Sequence, residues 1–260
     1  MFKKKSLGQH FLYSQHYLDL IADSADIKKG EVVVEIGPGE GTLTSALLER
    51  GAKVIAVEKD SRLIPLLREK FAGKDIEIVE ADALRLDLSS QIKKGSHYKL
   101  VGNIPYYITG ALLKKFLSES TQPSLAVLLV QKEVAERIAR DTKESILSLS
   151  IKAYGTPQYI KTVPAGAFFP PPAVDSAILK VEGISRKNFT DSAEEKVFFE
   201  LVKAGFAQKR KLLVRNLEKV LGERSADVLE RTEVPKNARA EHVGLMKWLA
   251  ISRYTKGNDL

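Results

Sequence analysis

Cysteine is absent from the 260 residues. That absence excludes a disulfide-stapled scaffold, a thiolate-ligated zinc or iron–sulfur centre and any cysteine nucleophile. Long apolar runs are absent too. A run such as residues 125–130 falls far short of the roughly 20 residues that cross a bilayer. No secretory leader is legible: Met1-Phe2-Lys3-Lys4-Lys5 is basic, but Gly8-Gln9-His10 arrives before any apolar core. A cytoplasmic protein without membrane contact is the expectation. His16, His97 and His242 have no metal-ligand spacing, so no metal is expected. No G-K-[ST] follows a glycine loop, which removes a P-loop, and no Ser/His/Asp order suggests acyl transfer. What remains is a globular composition, 44% hydrophobic and 28% charged, with a net charge of +8 that permits a polyanionic partner.

The hydropathy pattern divides the chain. Short β-branched runs fall at 31–36, 53–57, 76–79, 100–101, 125–130, 159–163 and 177–181. Helical stretches separate the early ones, at 42–50, 62–71, 110–117 and 133–140. That alternation predicts an α/β fold with a doubly wound, mostly parallel seven-stranded sheet. The last two runs are joined only by the proline-rich residues 164–172, which predicts an antiparallel pair at one sheet edge. Beyond residue 182 no strand is legible, and the apolar spacing is helical in Val197-Phe198-Leu201-Val202, in Leu212-Leu213-Leu217-Val220-Leu221 and in Val243-Met246-Leu249. The predicted domains are therefore 1–182, carrying the chemistry, and a small all-α domain over 183–260. The second is the more basic for its size, with 16 Lys and Arg against 11 Asp and Glu; the first has 25 against 22. Trp248 falls within its helical pattern and is expected in its core.

The first chemical signal is Val32-Val33-Val34-Glu35-Ile36-Gly37-Pro38-Gly39-Glu40-Gly41, a strand running into a glycine-rich turn before a helix at Thr42. Gly37 and Gly39 let backbone approach a ligand closely. The spacing is not G-x-G-x-x-G, and Pro38 lacks the N–H a pyrophosphate would use. Glu35 would repel phosphate and attract a cation. Glu58 closes the second strand, where a carboxylate takes both hydroxyls of a ribose. Asp82 follows the third and could accept from an adenine amine. A ligand with ribose, adenine, a positive centre and no phosphate fits this set, and S-adenosylmethionine has all of those features.

The second signal is Asn103-Ile104-Pro105-Tyr106, at the end of the fourth strand. Ligands of a doubly wound sheet bind beyond the carboxyl ends of its strands, so this segment should face the crevice of the glycine loop. An adenine amine is a poor nucleophile because its lone pair is delocalised into the ring. The Asn103 side-chain oxygen and a backbone carbonyl, that of Ile104, would accept from its two N–H groups and localise the pair. Pro105 stiffens the turn, and Tyr106 offers a face for the base.

With these segments in order, the chain resembles the ribosomal RNA adenine dimethyltransferases, of which the macrolide-resistance Erm methyltransferases are close relatives. Ser6-Leu7-Gly8-Gln9-His10-Phe11-Leu12 is similar to the family's opening motif, Glu35-Ile36-Gly37-Pro38-Gly39 to its cofactor motif and Asn103-Ile104-Pro105-Tyr106 to its catalytic one. Phe168-Phe169-Pro170-Pro171-Pro172-Ala173-Val174-Asp175-Ser176 resembles its F-x-P-x-P-x-V-x-S stretch, and Phe206-Ala207-Gln208-Lys209-Arg210-Lys211 a C-terminal signature. Ala173 stands where Lys or Arg is frequent, and the residues after Lys211 depart from T-L-R-N.

The resemblance implies a Rossmann-like methyltransferase domain and an S-adenosylmethionine cofactor held by His10, Leu12, Gly37, Glu58, Asp82 and Asn103. It implies a target adenine between Tyr106 and Phe168. Lys3, Lys4 and Lys5, and Lys209, Arg210 and Lys211 on a basic helix, would contact RNA phosphates. The implied reaction is dimethylation of two adjacent adenines near the 3′ end of small-subunit ribosomal RNA, within a pre-30S particle, by a monomer. Two alternatives stand beside it: an Erm-type enzyme acting on large-subunit RNA, and a non-catalytic RNA-binding or transcription factor on the same fold.

Overall fold

The computed structural model describes residues 10–88, 91–93 and 96–257. The chain runs β1 (Phe11–Leu12), α1 (Gln15–Ser24), β2 (Val32–Ile36), α2 (Thr42–Glu49), β3 (Lys53–Glu58), α3 (Ile64–Lys70), β4 (Ile76–Glu80) and β5 (Lys99–Asn103). It continues through α4 (Thr109–Ser118), β6 (Leu125–Gln131), α5 (Lys132–Ala139), α6 (Ile146–Lys152), β7 (Thr156–Val163), β8 (Phe168–Phe169) and β9 (Ser176–Glu182). Four helices close it: α7 (Ser192–Gly205), α8 (Leu213–Leu221), α9 (Arg224–Arg231) and α10 (Leu245–Gly257). Two compact units emerge. One holds the described residues through Ala135 together with Thr156–Ile184; the other holds Glu136–Gly155 and the described residues from Ser185 onward.

The first unit is built on a seven-stranded sheet of order β4-β3-β2-β5-β6-β9-β7. The strands β4, β3, β2, β5 and β6 are mutually parallel. Strand β9 runs antiparallel to both β6 and β7. The expected antiparallel pair is therefore present, with β9 inserted between β6 and β7 rather than added at the rim. One consequence matters for the site. Ser176, the first residue of β9, lies opposite Gln131 and Val163, at the carboxyl ends of β6 and β7.

The inner strands are apolar on both faces because both faces are covered. Val33 and Val34 point to opposite sides of β2, yet each is wholly buried. On one side Val33, Val54, Val101 and Val127 pack with Leu18 and Ile21 of α1 and Leu43 and Leu47 of α2. Each such side chain contributes about 1.5–3 kcal/mol when removed from water. The chain leaves β2 for β3 on one side and returns to β5 on the other. The crevice opens at that switch, beyond the carboxyl ends of the strands.

Four elements escape the sequence pattern: α1, α6, α9 and a two-stranded ladder that pairs Phe11 with Phe169 and Leu12 with Phe168. The second unit is helical, and no strand follows Glu182 among the described residues. Asp191 caps α7 by accepting from the Glu194 N–H at 2.8 Å. Trp248 is wholly buried and stacks on Phe206 at 6.1 Å between ring centroids. No helix among the described residues is long and apolar enough to cross a membrane.

Candidate active site

Three strand ends and one loop build a crevice in the first unit. The loop follows β2. Gly37 and Gly39 adopt left-handed φ values of +70° and +61°, a region that disfavours side chains. A Cβ at Gly37 would sit 3.3 Å from the Asn103 carbonyl, and one at Gly39 would enter the Phe11 ring. Gly39 is thus required by contact as well as by φ, and Gly37 by φ beside a tight approach. Their lack of side chains leaves bare backbone along the crevice wall.

Glu58 ends β3 and is 6% exposed. Its Oε1 accepts from the Lys59 and Asp60 N–H groups, each at 2.8 Å, and its Oε2 accepts from the Gly39 N–H at 3.2 Å. Burial pushes its pKa up and the nearby Asp60 carboxylate adds to the rise, while those three backbone donors oppose it. The donors fix the carboxylate plane and tie β3 to the glycine loop. Asp82 follows β4. Its Oδ2 accepts from the Lys59 ammonium at 2.8 Å and its Oδ1 from the Leu84 N–H at 3.0 Å. The lysine, first, and that N–H hold its pKa below the ordinary carboxylate value.

Asn103 ends β5. Its Nδ2 donates to the His10 carbonyl at 2.8 Å. With the amide nitrogen engaged there, Oδ1 is the acceptor end of the side chain. His10 is anchored in turn by a 2.8 Å bond between Nδ1 and the Pro170 carbonyl, and its ring lies near-parallel to Tyr106 at 6.1 Å and 19°. Tyr106 opens a short 3-10 turn behind Pro105, and its phenol bonds to Ser176 Oγ at 2.6 Å. Burial raises the phenol pKa, so the hydroxyl keeps its proton at neutral pH.

The structure brings most of the anticipated residues together. His10, Gly37, Gly39, Glu58 and Asp82 line one cavity, and Asn103, Ile104, Pro105 and Tyr106 line it as well. Three anticipated residues do not line it. Leu12 is a core side chain whose carbonyl accepts from Thr42 Oγ1 at 3.1 Å. Phe168 is 4% exposed, directed into the same core by pairing with Leu12; its neighbour Phe169 is the exposed ring, at 61%. The expected second wall opposite Tyr106 is thus a core residue here, because alternation along β8 sends adjacent rings to opposite sides. Glu35 is wholly buried, and its Oε2 accepts from Thr44 Oγ1 at 2.6 Å. Burial, foremost, pushes its pKa up to about 8, with Glu58 adding to the rise. The anion expected there to attract a cation is mostly neutral at pH 7.

Other lining residues carried no sequence signal of their own. Lys59, Asp60 and Tyr107 face the crevice. The Glu58-Lys59-Asp60 run could have been found by extending the strand-end argument two residues. Lys3, Lys4 and Lys5 lie outside the described residues. Lys209, Arg210 and Lys211 are exposed, but on the turn between α7 and α8 rather than on a helix. Asn216 ties this turn down: its Nδ2 donates to the carbonyl of Gly205, the last residue of α7, at 2.6 Å and to that of Gln208, within the turn, at 3.1 Å.

The donor set suits a cationic adenosine derivative. A carboxylate held by three backbone donors meets a diol, and bare glycine backbone admits close approach. Among the described residues no arginine or lysine cluster awaits a phosphate there.

Comparison with known proteins agrees. The family model described as ribosomal RNA adenine dimethylase matches residues 1–256. The chain is 42% identical over 250 residues to a ribosomal RNA small subunit methyltransferase A from Dehalococcoides mccartyi, covering 94% of this chain and 86% of that one. It is 38% identical to the protein of the same description from Fusobacterium nucleatum, covering 98% of each. Among solved structures, a dimethyladenosine transferase from Plasmodium falciparum superposes with a TM-score of 0.83 at 26% identity, covering 96% of this chain and 99% of that one. The 23S rRNA methyltransferase ErmE superposes at 0.76 with 28% identity, covering 94% and 98%.

Proposed function

The chain belongs to the ribosomal RNA adenine dimethylase family, and from that premise and the crevice we infer how it works. It is an S-adenosylmethionine-dependent methyltransferase that dimethylates the 6-amino groups of adenines in small-subunit ribosomal RNA. The bound cofactor supplies an electrophilic sulfonium methyl and a good thioether leaving group.

The chain's own task is alignment. Glu58 is positioned to accept from ribose hydroxyls, Gly37 and Gly39 to admit the cofactor's tail, and Asp82 to accept from its adenine amine. Asn103 Oδ1 and the Ile104 carbonyl accept from the target amine, which localises its lone pair and aims it. Tyr106 holds the base by one face. Alignment of this kind replaces a bimolecular encounter with a near-attack geometry. The helical residues from 183 onward, with Lys209, Arg210 and Lys211 exposed, serve RNA binding, as Lys3, Lys4 and Lys5 would at the other end of the chain. The substrate is taken as two adjacent adenines near the RNA 3′ end, inside a small-subunit precursor, and the protein as a monomer in the cytoplasm.

One observation carries this reading: Asn103 lines the crevice with its amide nitrogen donating to the His10 carbonyl, which leaves Oδ1 available to accept from a target amine. The test is incubation of the purified protein with a labelled methyl donor and unmethylated small- or large-subunit ribosomal RNA, free or in particles, followed by nucleoside mass spectrometry. Dimethyladenosine confined to small-subunit RNA supports the reading. Label in large-subunit RNA alone makes it an Erm-type enzyme, and binding without label a non-catalytic factor.

A further inference from the structure

Nothing in the transfer chemistry requires a serine, yet Ser176 places a wholly buried hydroxyl 2.6 Å from the Tyr106 phenol, 70 residues away in sequence. Topology makes this contact possible. In a parallel strand the first residue lies at the edge away from the crevice. Strand β9 is reversed, so its first residue arrives at the crevice edge, between the ends of β6 and β7. The Tyr106 backbone is set by the Pro105 turn, but that leaves the ring free to turn about its side-chain torsions. A hydrogen bond at the far end of the ring stops the swing of its long axis, while the near-parallel His10 ring lies along its face.

We propose that Ser176 is a positioning residue for methyl transfer: it holds the Tyr106 phenol and so fixes where the ring against which the target adenine stacks stands in the crevice. The proposal rests on the reading of the function given above. It assigns Ser176 no contact with substrate. Asp175, beside it, is engaged elsewhere: its Oδ1 accepts from the Ala165 N–H at 3.0 Å and its carbonyl from the Lys132 N–H at 3.0 Å. Ser176 is thus the group that meets the phenol.

The test is a double-mutant cycle on the single-turnover transfer rate, with RNA and cofactor saturating. Tyr106→Phe keeps the stacking ring and removes one oxygen; Ser176→Ala removes the partner. Each should slow transfer about three- to tenfold, the rate equivalent of one neutral hydrogen bond. The double variant should be no slower than the slower single variant, because both remove the same bond. Cofactor affinity should stay at the parent value. A purely structural serine would lower the thermal midpoint of Ser176→Ala and leave the transfer rate of the folded fraction unchanged, which overturns the proposal. So do single effects that multiply in the double variant. If Ser176→Ala does not fold, Tyr106→Phe decides: parental speed overturns the proposal and slowing supports it. A parent protein that transfers no methyl group overturns the functional reading and this proposal together, whereas an active parent with undiminished variants overturns this proposal alone.

Discussion

Glu58 accepts three backbone N–H groups and still faces the crevice, an arrangement that fixes its oxygens before any ligand arrives. Truncation to Ala removes a charged acceptor for the ribose hydroxyls. Hydrogen bonds to charged groups contribute about 1.5–3 kcal/mol, so S-adenosylmethionine affinity measured by calorimetry should fall roughly ten- to a hundredfold. Glu35 behaves differently, as a proton reservoir under the loop. Its folded pKa lies near 8 against an ordinary value of 4.5, so between those limits the folded state holds a proton that the unfolded state has released. Stability conferred through this group is therefore greatest at low pH and lost as pH rises toward about 8. Thermal midpoints recorded across that window should fall less steeply in Glu35→Gln than in the parent; identical slopes would show that Glu35 is ionised in the fold. These two carboxylates show what residue-level reading of a sequence reaches. Glu58, Asp82 and Asn103 are legible because strand–helix alternation alone sends strand ends to one edge. Glu35 and Phe168 are not: Glu35 sits one residue from the crevice-lining Ile36, and Phe168 one residue from the exposed Phe169. Which of the two turns inward depends on packing by α2 and on the Leu12 pairing, information held far off in the chain.

At the scale of elements, the second unit depends on a close approach. A Cβ on Gly205 would fall inside the Trp248 ring and against Leu213. Gly205→Ala should destabilise the protein by about 1–3 kcal/mol through overpacking, read as a lower denaturation midpoint. Unchanged stability would mean that α7 and α10 adjust freely. The same turn explains why spacing alone puts the basic run on a helix. Helical spacing in Leu213 and Leu217 is visible, but the turn before it is closed by Asn216 reaching back to Gly205 and Gln208. A buried side chain closing a loop leaves no periodic trace. The antiparallel β7 and β9 are legible from the missing helix between them. The insertion of β9 next to β6 is not, since pairing order is decided by long-range packing.

At the scale of the whole molecule, the groups that face the crevice belong to one unit and the exposed Lys209-Arg210-Lys211 turn to the other. Neutralising those three residues together should weaken RNA binding and flatten its salt dependence, by about 0.7–0.9 in log–log slope for each phosphate that is no longer neutralised. Cofactor affinity should not change. An unaltered slope would place the RNA footprint elsewhere. The central claim is that Asn103 presents an acceptor to the target amine, and single-turnover methylation by Asn103→Ala at saturating RNA and cofactor tests it most directly. Loss of one preorganised polar group of this kind typically slows the chemical step about a hundred- to a thousandfold, and that loss is predicted with RNA affinity little changed. Transfer within a few-fold of the parent rate would contradict the account and reduce Asn103-Ile104-Pro105-Tyr106 to a proline turn.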